Sequence, residues 1–598
     1  MAEEGIVMVR SLVSSARRRA VAGVVFAVAL SAGPAAHART WTWTGNGTDD
    51  KWSNTNNWIP VNGYPTNNIS NAHDLIFDGS ARLTPDQDLA DVYYAHSLVF
   101  SNNAGAYQLG GTNYLAGYPG LRGYNLARSN PYITVLGTSD ILIMGLVDAR
   151  DDDLNQVITV PSNVVLQVPW IRGGSGEKIV KNGGGTLRVY EHADGQRYWG
   201  AGGTMGPRYQ VNDGTVEFGT RANRYVWNDT SGTNWAASSN QTKASHSLVV
   251  GDGVGAETSA VVRLVDGGNV LNNNNFYVDT DGLLDFNGKW APDLSENYAV
   301  LSNKSALVRI GSAVMTFDAS AKVYLDGSAR IEGNGSAITM HNGAVIRVDN
   351  TETRAVIACD TRQNGNTNVG PTFIVADKPD DDVDFEWVGT LGAGGNNSLR
   401  CRFVKQGLGT MAIAGASLYG AGSTQTVAEG ALLINGGVVQ STTPAVWQVL
   451  TNATLGGSGT ISNAAVFVFD GILAPGVAGN RVGQLTLWSN LVLSGACTLR
   501  VDVTGSAAVA GVDYDQLKVG RGQVTGLSNV DLVLAVTNAP NIDNQTLRVI
   551  SGGGDYRGQT FHSLAITGLP GATATPTYGN GFVDVTVRSV SGTALLLW

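Results

Sequence analysis

The sequence predicts an all-β solenoid, in which short strands stack into coils around one shared core. Short apolar runs with alternating polarity recur after residue 39, and Gly, Asn or Asp bounds them. Runs of about four or five residues match one side of a solenoid coil. Gly is abundant (77 of 598 residues) and only 15% of residues are charged, which suits close-packed turns. The clearest runs are Leu75–Phe77, Ser97–Phe100, Val261–Leu264, Leu307–Ile310, Val345–Val348 and Leu532–Leu534.

The overall charge disfavours a nucleic-acid partner. The formal net charge is −10, and no basic stripe occurs beyond the first twenty residues. A nucleic-acid-binding surface needs clustered Lys and Arg side chains to neutralise phosphates. We therefore expect neither DNA nor RNA as a ligand.

Residues 1–38 have the pattern of a signal peptide. Arg10 and Arg17–Arg19 precede the apolar run Ala20–Ala32, and Ala36-His37-Ala38 forms a small-x-small cleavage site. Both the general secretory route and a twin-arginine exporter remain open. No later segment reaches about 18 uncharged apolar residues, so no integral membrane segment is expected after cleavage. The sequence predicts an exported chain that is extracellular, bound to the cell surface or periplasmic.

Residues 39–110 are predicted to form a Trp-rich N-terminal cap and the first coils. Trp41, Trp43, Trp52 and Trp58 lie close together in the sequence. Exposed Trp rings offer flat apolar faces to a sugar or a protein partner. Buried rings would instead close the end of the solenoid, as exposed terminal coils require, and we favour this interpretation.

Residues 111–440 contain an internal repeat, at about 179–219 and 403–437. Lys181–Leu187 in the first copy is matched by Lys405–Met411 in the second. A second strand then follows a Gly turn, at Val211–Val216 and at Val427–Leu432. The repeated unit is therefore strand, variable loop, turn and strand.

These repeats resemble the autotransporter-associated β-strand repeat proteins, whose unit runs Lys-x-Gly-x-Gly-Thr-Leu, a Thr/Gly-rich loop and Gly-x-Leu. The copy at Lys405–Gly436 fits best, whereas the first copy has a longer loop that contains Glu191, His192 and Trp199. Residues 441–598 resemble the closing coils and C-terminal cap of such proteins. Four motifs carry this second likeness: Gly456–Ile461, Leu473–Gly476, Gly483–Leu487 and Tyr514–Val519.

The resemblance implies a right-handed parallel β-helix that is passenger-like but lacks the membrane barrel. Coils of about 22 residues would give about 25 coils and a rod on the order of 100 Å. About sixty residues follow the last family-like coil, which is too few for a large barrel. The continuously apolar Ala594–Trp598 is expected to cover the last coil.

No cofactor-binding residue can be named, and a metal site remains open. Gly251–Ala256 follows an apolar strand like a dinucleotide loop, but the alternating Val261–Leu264 predicts a strand where that loop needs a helix. Calcium is possible at two acidic clusters, although neither has an EF-hand spacing. No His pair has metal-ligand spacing. The clusters are Asp148 with Asp151–Asp153, and Asp380–Asp382 with Asp384 and Glu386.

Three cysteines leave room for one disulfide at most. The 42-residue interval between Cys359 and Cys401 is nearer two coils than one, or about 9.6 Å, which is beyond disulfide reach. An insertion at 378–386 would reduce the interval to one coil and allow a bridge. We predict that these two thiols are not simply stacked in consecutive coils.

The sequence therefore predicts a non-catalytic β-solenoid with a structural or adhesive role. A surface glycan or a protein is the possible partner. The alternative is a polysaccharide-active β-helix enzyme, either a lyase or a glycoside hydrolase, which needs carboxylates from neighbouring coils. No catalytic residue can be assigned from the sequence.

Overall fold

The computed structural model describes most of the chain after residue 38. Contacts divide the chain into two compact units, residues 1–37 and 38–598. The first unit lies outside the described residues, and the fold is that of the second. The described ranges are 39–67, 72–89, 93–110, 124–126, 132–144, 147–148, 155–168, 171–172, 178–190, 208–219, 247–265, 275–289, 293–294, 300–317, 321–341, 343–349, 353–364, 370–378, 383–393, 402–415, 417–419, 423–440, 445–477, 482–505, 508–537, 539 and 542–589.

Parallel strands stack in three ladders, here named faces A, B and C. Where strands are described on all three faces, a coil passes through them in the order A, B, C and then returns to face A one coil further on. Tyr93–Phe100 turns the corner from face C to face A, and Arg330–His341 and Ala355–Asn364 turn from face B to face C. The described residues contain two short 3₁₀ helices, Thr55–Asn57 and Leu527–Asn529, and no α-helix.

The strands of face A are Thr40–Trp43, Trp58–Ile59, His73–Phe77, Tyr93–Phe100, Tyr132–Val135, Asn155–Thr159, Lys178–Asn182, Arg208–Val211, Ser247–Val250, Asn275–Val278, Val300–Lys304, Lys322–Asp326, Val345–Val348, Thr372–Val375, Phe403–Gln406, Thr424–Val427, Ala445–Val449, Ala464–Phe469, Leu491–Ser494 and Val524–Thr525.

The strands of face B are Gln108–Leu109, Ile141–Ile143, Val165–Val168, Thr186–Tyr190, Gly214–Gly219, Ala260–Leu264, Gly282–Asp285, Leu307–Gly311, Arg330–His341, Ala355–Asn364, Phe385–Trp387, Thr410–Ile413, Ala431–Ile434, Thr454–Gly457, Ile472–Pro475, Cys497–Val503, Val530–Val536 and Ser563–Thr567.

The strands of face C are Tyr124–Leu126, Val147–Asp148, Ile171–Arg172, Asp293–Leu294, Met315–Phe317, Leu391–Ala393, Ser417–Tyr419, Gly437–Gln440, Thr460–Ile461, Gln484–Leu487, Gln516–Val519, Thr546–Asp555 and Thr573–Arg588.

This arrangement confirms the predicted all-β parallel β-helix. Register partners Thr426, Gln448, Phe467 and Val492 give successive coils of 22, 19 and 25 residues, close to the expected length. Nineteen parallel strands stack along face A in the described residues, fewer than the 25 coils predicted. The prediction was too high because it assumed uniform coils, whereas Val211 and its partner Val250 are 39 residues apart.

At each end of the described solenoid, an antiparallel strand covers the terminal strand of one face. Trp58–Ile59 pairs antiparallel with Thr40–Trp43, the first strand of face A. Thr573–Arg588 pairs antiparallel with Thr546–Asp555. Every other strand-to-strand pairing within the described residues is parallel. Covering an edge in this way removes a template for pairing with another chain.

The core is one continuous cluster of apolar side chains from Trp41 to Val587. Alternation in each strand sends every second side chain inward, where residues from successive coils stack. Phe77 and Phe100, which are register partners on successive coils, show this with stacked rings whose centroids are 5.3 Å apart. Each fully buried side chain of this size contributes roughly 1.5–3 kcal/mol. The predicted boundaries near residues 110 and 440 stay predictions.

Candidate functional site

The lysine of the repeat is a structural residue inside the core. Lys405 is fully buried, and its ammonium group donates hydrogen bonds to the carbonyl oxygens of Gly407, Gly409 and Glu429. Glu429 belongs to the next coil, so the ammonium joins two successive turns. Burial lowers the pKa of Lys405 to about 8, while Asp384 and Glu429 oppose that shift.

The first copy repeats the same arrangement. Lys181 is 1% exposed, and its ammonium donates to the carbonyl oxygens of Gly183 (2.6 Å) and Asp213 (2.9 Å). Gly214 follows at φ +72°, where a Cβ atom would lie 2.4 Å from the carbonyl oxygen of Gly183. Gly430 has the same role in the second copy, at φ +63° and 2.4 Å from the carbonyl oxygen of Gly407. The Lys-x-Gly motif therefore stabilises the coil and does not face a ligand.

The Trp-rich opening packs inward. Trp43, Trp52 and Trp58 are fully buried and Trp41 is 4% exposed. Trp58 makes edge contacts with Trp43 (5.2 Å) and Trp52 (5.4 Å), and its indole N–H donates to the carbonyl of Trp52. These rings are not available to a sugar, so the packing interpretation holds.

A polar cleft of about 310 Å³ opens beside this cap. The Arg82 guanidinium pairs with Asp50 at 2.9 Å, and the Thr84 hydroxyl donates to the other Asp50 oxygen at 3.0 Å. Burial raises the pKa of Asp86, and the neighbouring Asp88 adds to that shift. The cleft therefore holds one carboxylate paired with a cation, Asp50, and one whose pKa is raised, Asp86. Its lining residues are Asp49, Asp50, Lys51, Arg82, Thr84 and Asp86.

Ser97, His96 and Asp74 lie together but do not form a nucleophilic triad. The Ser97 hydroxyl donates to Asp74 Oδ1, and His96 Nδ1 contacts the same oxygen at 2.7 Å. Burial alone would raise the pKa of Asp74, but the hydrogen bonds with His96 and Ser97 outweigh it, and the pKa lies below its usual value. A serine nucleophile must donate its hydroxyl hydrogen bond to the imidazole that takes its proton, whereas Ser97 is fully buried and donates that hydrogen bond to the Asp74 carboxylate.

The glycine-rich loop Gly251–Ala256 is a solenoid turn. The strand Ala260–Leu264 follows it, as the sequence predicts, so no helix N-terminus is present to hold a pyrophosphate. The buried Asp281 of the next coil accepts a hydrogen bond from the Gly253 N–H at 2.8 Å.

The acidic clusters are only partly described. Asp384 is buried and accepts hydrogen bonds from the backbone N–H groups of Lys378 and Thr410. Glu386 pairs with Arg354 at 3.1 Å. The Asp148 side chain, Asp151–Asp153 and Asp380–Asp382 lie outside the described residues, as does His192. Within the described ranges, no three His, Cys, Asp or Glu side chains group as a metal site. Calcium binding stays a prediction.

The described thiols are buried. Burial raises the pKa of Cys359 to about 12 and raises that of Cys497 as well, so both are poor nucleophiles. Both are free. Cys401 lies outside the described residues, so the expectation that Cys359 and Cys401 are not stacked in consecutive coils stays a prediction.

The exterior of face B has a ladder of alternating charge, which we call the charge ladder. Its six residues stand in register on six successive coils: Arg188, Glu217, Arg263, Asp285, Arg309 and Glu332. Arg188 pairs with Glu217 at 2.7 Å. Asp285, whose side chain is 5% exposed, lies 3.1 Å from Arg263 and 3.6 Å from Arg309.

The exterior of face A has a different chemistry along the same coils. A single outward column, which we call the stripe, is in register through eleven coils. It contains one charged residue and no carboxylate. Tyr277 is 39% exposed. The stripe consists of Tyr132, Val157, Val180, Gln210, Val249, Tyr277, Ser302, Tyr324, Arg347, Ile374 and Gln406.

Sequence reasoning missed both columns. Each strand contributes one residue to a column, and connections of unequal length hide the register. The only signal in the sequence is the outward position of each alternating run.

Comparisons with known proteins do not assign the chain to a family. No protein-family model matches the sequence, and no curated protein matches it. A solved structure, the Hap adhesin of Haemophilus influenzae, is 11% identical with a TM-score of 0.23. The match covers 87% of this chain and 65% of the adhesin, just under two thirds of the adhesin chain. Values this low support no inference about function. In the described part of this chain, no helix is long and apolar enough to cross a bilayer.

Proposed function

We propose that this chain is an exported, non-catalytic β-solenoid with an adhesive or structural role at the cell surface or outside the cell. One observation carries the proposal, namely the difference between the charge ladder on face B and the stripe on face A, which has a single charged residue and no carboxylate. Charges locked to one another in register stabilise the fold. A partly exposed column of mainly apolar and aromatic side chains cannot form such a ladder of ion pairs, and it favours contact with another molecule.

Two features of the sequence support export. Residues 1–38 have the pattern of a signal peptide. The repeats resemble those of autotransporter-associated β-strand proteins, whose passengers act outside the cell. Fractionation of producing cells tests this step, and recovery of the chain only from the cytoplasm would contradict it.

The adhesive role is tested with the exported chain, produced from the full-length sequence. Beads coated with it should be retained under flow on polysaccharide-coated or cell-coated glass, and beads coated with an unrelated protein should not. Equal retention of the two kinds of bead would count against adhesion.

Glycan cleavage is the second candidate, and the cleft is the observation that favours it. Asp50, held by Arg82, and Asp86, whose pKa is raised, differ in the way that paired catalytic carboxylates do. The chain should be incubated with a panel of glycans, beside the variant Asp86→Asn. Reducing or unsaturated ends released by the parent chain but not by the variant would favour the enzyme.

A further inference from the structure

We infer that the segment of the stripe formed by Tyr277, Ser302 and Tyr324 binds an uncharged polysaccharide that lies along the solenoid axis. This inference rests on the proposed adhesive function and specifies its ligand.

The two tyrosines stand two coils apart in one column. Tyr277 pairs with Ser302, and Ser302 pairs with Tyr324 on the next coil. Parallel strands are about 4.8 Å apart, so the two Cα atoms are about 9.6 Å apart along the axis. Flat apolar rings at a regular interval, with a hydroxyl between them, match a polymer that repeats flat apolar faces and hydroxyl edges. Sugar rings in a linear chain have this pattern.

The charges around the two rings balance. In the described residues of the four strands that carry Tyr277, Ser302, Tyr324 and Arg347, together with the residue directly after each strand, three cationic side chains stand against three carboxylates: Lys304, Lys322 and Arg347 against Asp279, Asp326 and Asp349. Arg347 pairs with Asp349 at 2.7 Å, and Lys304 lies 3.9 Å from Asp279. An anionic or cationic polymer would find no complementary field here. An uncharged polymer matches the surface.

The shape of the surface also favours a chain over a small molecule. Small ligands bind in concave pockets that bury most of their surface, whereas the stripe runs along the outside of a sheet. Tyr277 and its neighbours are partly exposed single side chains, which differ from the large, continuous apolar surface of an obligate protein interface.

The experiment is affinity electrophoresis of the exported chain in native gels that contain hydroxyethyl cellulose, laminarin, galactomannan or dextran. Alginate serves as the anionic polymer. The variants are Tyr277→Ala, Tyr324→Ala and the double variant. Tyr64→Ala is the matched control, because Tyr64 is 37% exposed at the N-terminal cap, far from the stripe in sequence. Unchanged circular dichroism and urea midpoints establish that the variants fold.

At least one uncharged polymer should retard the parent chain and the Tyr64→Ala variant. Each stripe substitution should weaken binding roughly tenfold, since one aromatic contact contributes a factor of that order. Added salt should not reduce the retardation.

Three results would overturn the inference: no retardation by any uncharged polymer, retardation by alginate alone, or equal retardation of parent and double variant. If beads coated with the parent chain still adhere under those results, the adhesive function stands and only the ligand is wrong. If those beads do not adhere, the proposed function fails separately.

Discussion

At the residue scale, the buried lysines explain why the repeat has its sequence. The ammonium of Lys405 donates hydrogen bonds to the carbonyl oxygens of Gly407, Gly409 and Glu429, and the Gly409 oxygen also accepts one from the Ala431 N–H. The pattern Lys-x-Gly is visible in the sequence, but its purpose is not. The third carbonyl belongs to Glu429 on the next coil, and only the register brings it close.

Replacing Lys405 with Met should destabilise its coil. Met keeps most of the volume but removes the ammonium donor from the carbonyls of Gly407 and Glu429 and leaves that of Gly409 with the Ala431 N–H alone. The expected cost is about 2–4 kcal/mol. Hydrogen exchange at the amides of Gly430 and Leu432 should show the lower opening free energy. Lys518→Met is the control, because Lys518 is exposed on face C. Equal protection of these amides from hydrogen exchange in the Lys405→Met and Lys518→Met variants would contradict the predicted role of Lys405.

The buried carboxyl group of Asp515 should make the free energy of unfolding depend on pH. It is fully buried and accepts hydrogen bonds from the Gly483 and Asp502 N–H groups, yet burial raises its pKa to about 8. Between its unfolded pKa near 3.8 and about 8, the folded state binds the proton more tightly than the unfolded state. The contribution of Asp515 to stability is therefore present at low pH and is lost as the pH rises towards 8.

Urea unfolding at pH 5 and pH 8 measures this contribution. Between pH 5 and pH 8, the urea midpoint of the parent chain should fall further than that of the Asp515→Asn variant, because the Asn side chain does not titrate. A larger fall of the urea midpoint in the variant than in the parent chain would contradict this prediction. Comparing the two chains cancels the other titrating groups, including His73, whose pKa burial lowers.

At the scale of strands, the sequence predicts where strands lie but not how they align. The alternating runs Val261–Leu264 and Val345–Val348 fall in the strands Ala260–Leu264 and Val345–Val348. Alternation is a local property, so it can be read from each segment alone. Register depends on the length and path of each connection, and these vary from coil to coil. The charge ladder and the stripe emerge only from the register.

The charge ladder should fix the register of face B. Asp285 lies between Arg263 and Arg309, and its side chain is almost fully buried. Asp285→Arg would place three guanidinium groups on successive coils and should cost about 3–5 kcal/mol, the range for an unpaired buried charge. Combining it with Arg309→Asp should recover part of the loss. Asp252→Asn, on an exposed turn, should change the urea midpoint little.

The recovery in the double variant is the decisive measurement. Coupling between Asp285 and Arg309 requires that the double variant be more stable than the sum of the single effects predicts. Strictly additive effects would mean that the ladder is a by-product of the fold and does not fix its register.

At the scale of the molecule, a parallel solenoid has two ends that must be kept from pairing with other chains. The sequence indicates the N-terminal cap through its tryptophans, and the structure adds the strand that closes the edge. Trp58–Ile59 runs antiparallel along Thr40–Trp43, and its first residue packs its ring against Trp43 and Trp52. The same side chain therefore fills the core and holds the covering strand in place.

Replacing Trp58 with Ala should open this edge. The substitution removes a fully buried ring that contacts Trp43, Trp52 and Phe77, and a loss of about 3–5 kcal/mol is typical of such a change. Because each coil of a solenoid contacts only its neighbours, the damage should stay in the first coils while the rest remains folded. The uncovered strand Thr40–Trp43 should then pair with other copies.

Light scattering should show that the Trp58→Ala variant associates more strongly with rising concentration than the parent chain does. Trp488→Ala is the control, because Trp488 is 42% exposed and far from the cap in sequence. If Trp58→Ala associates no more than this control while its first coils lose hydrogen-exchange protection, the covering strand does not protect the edge.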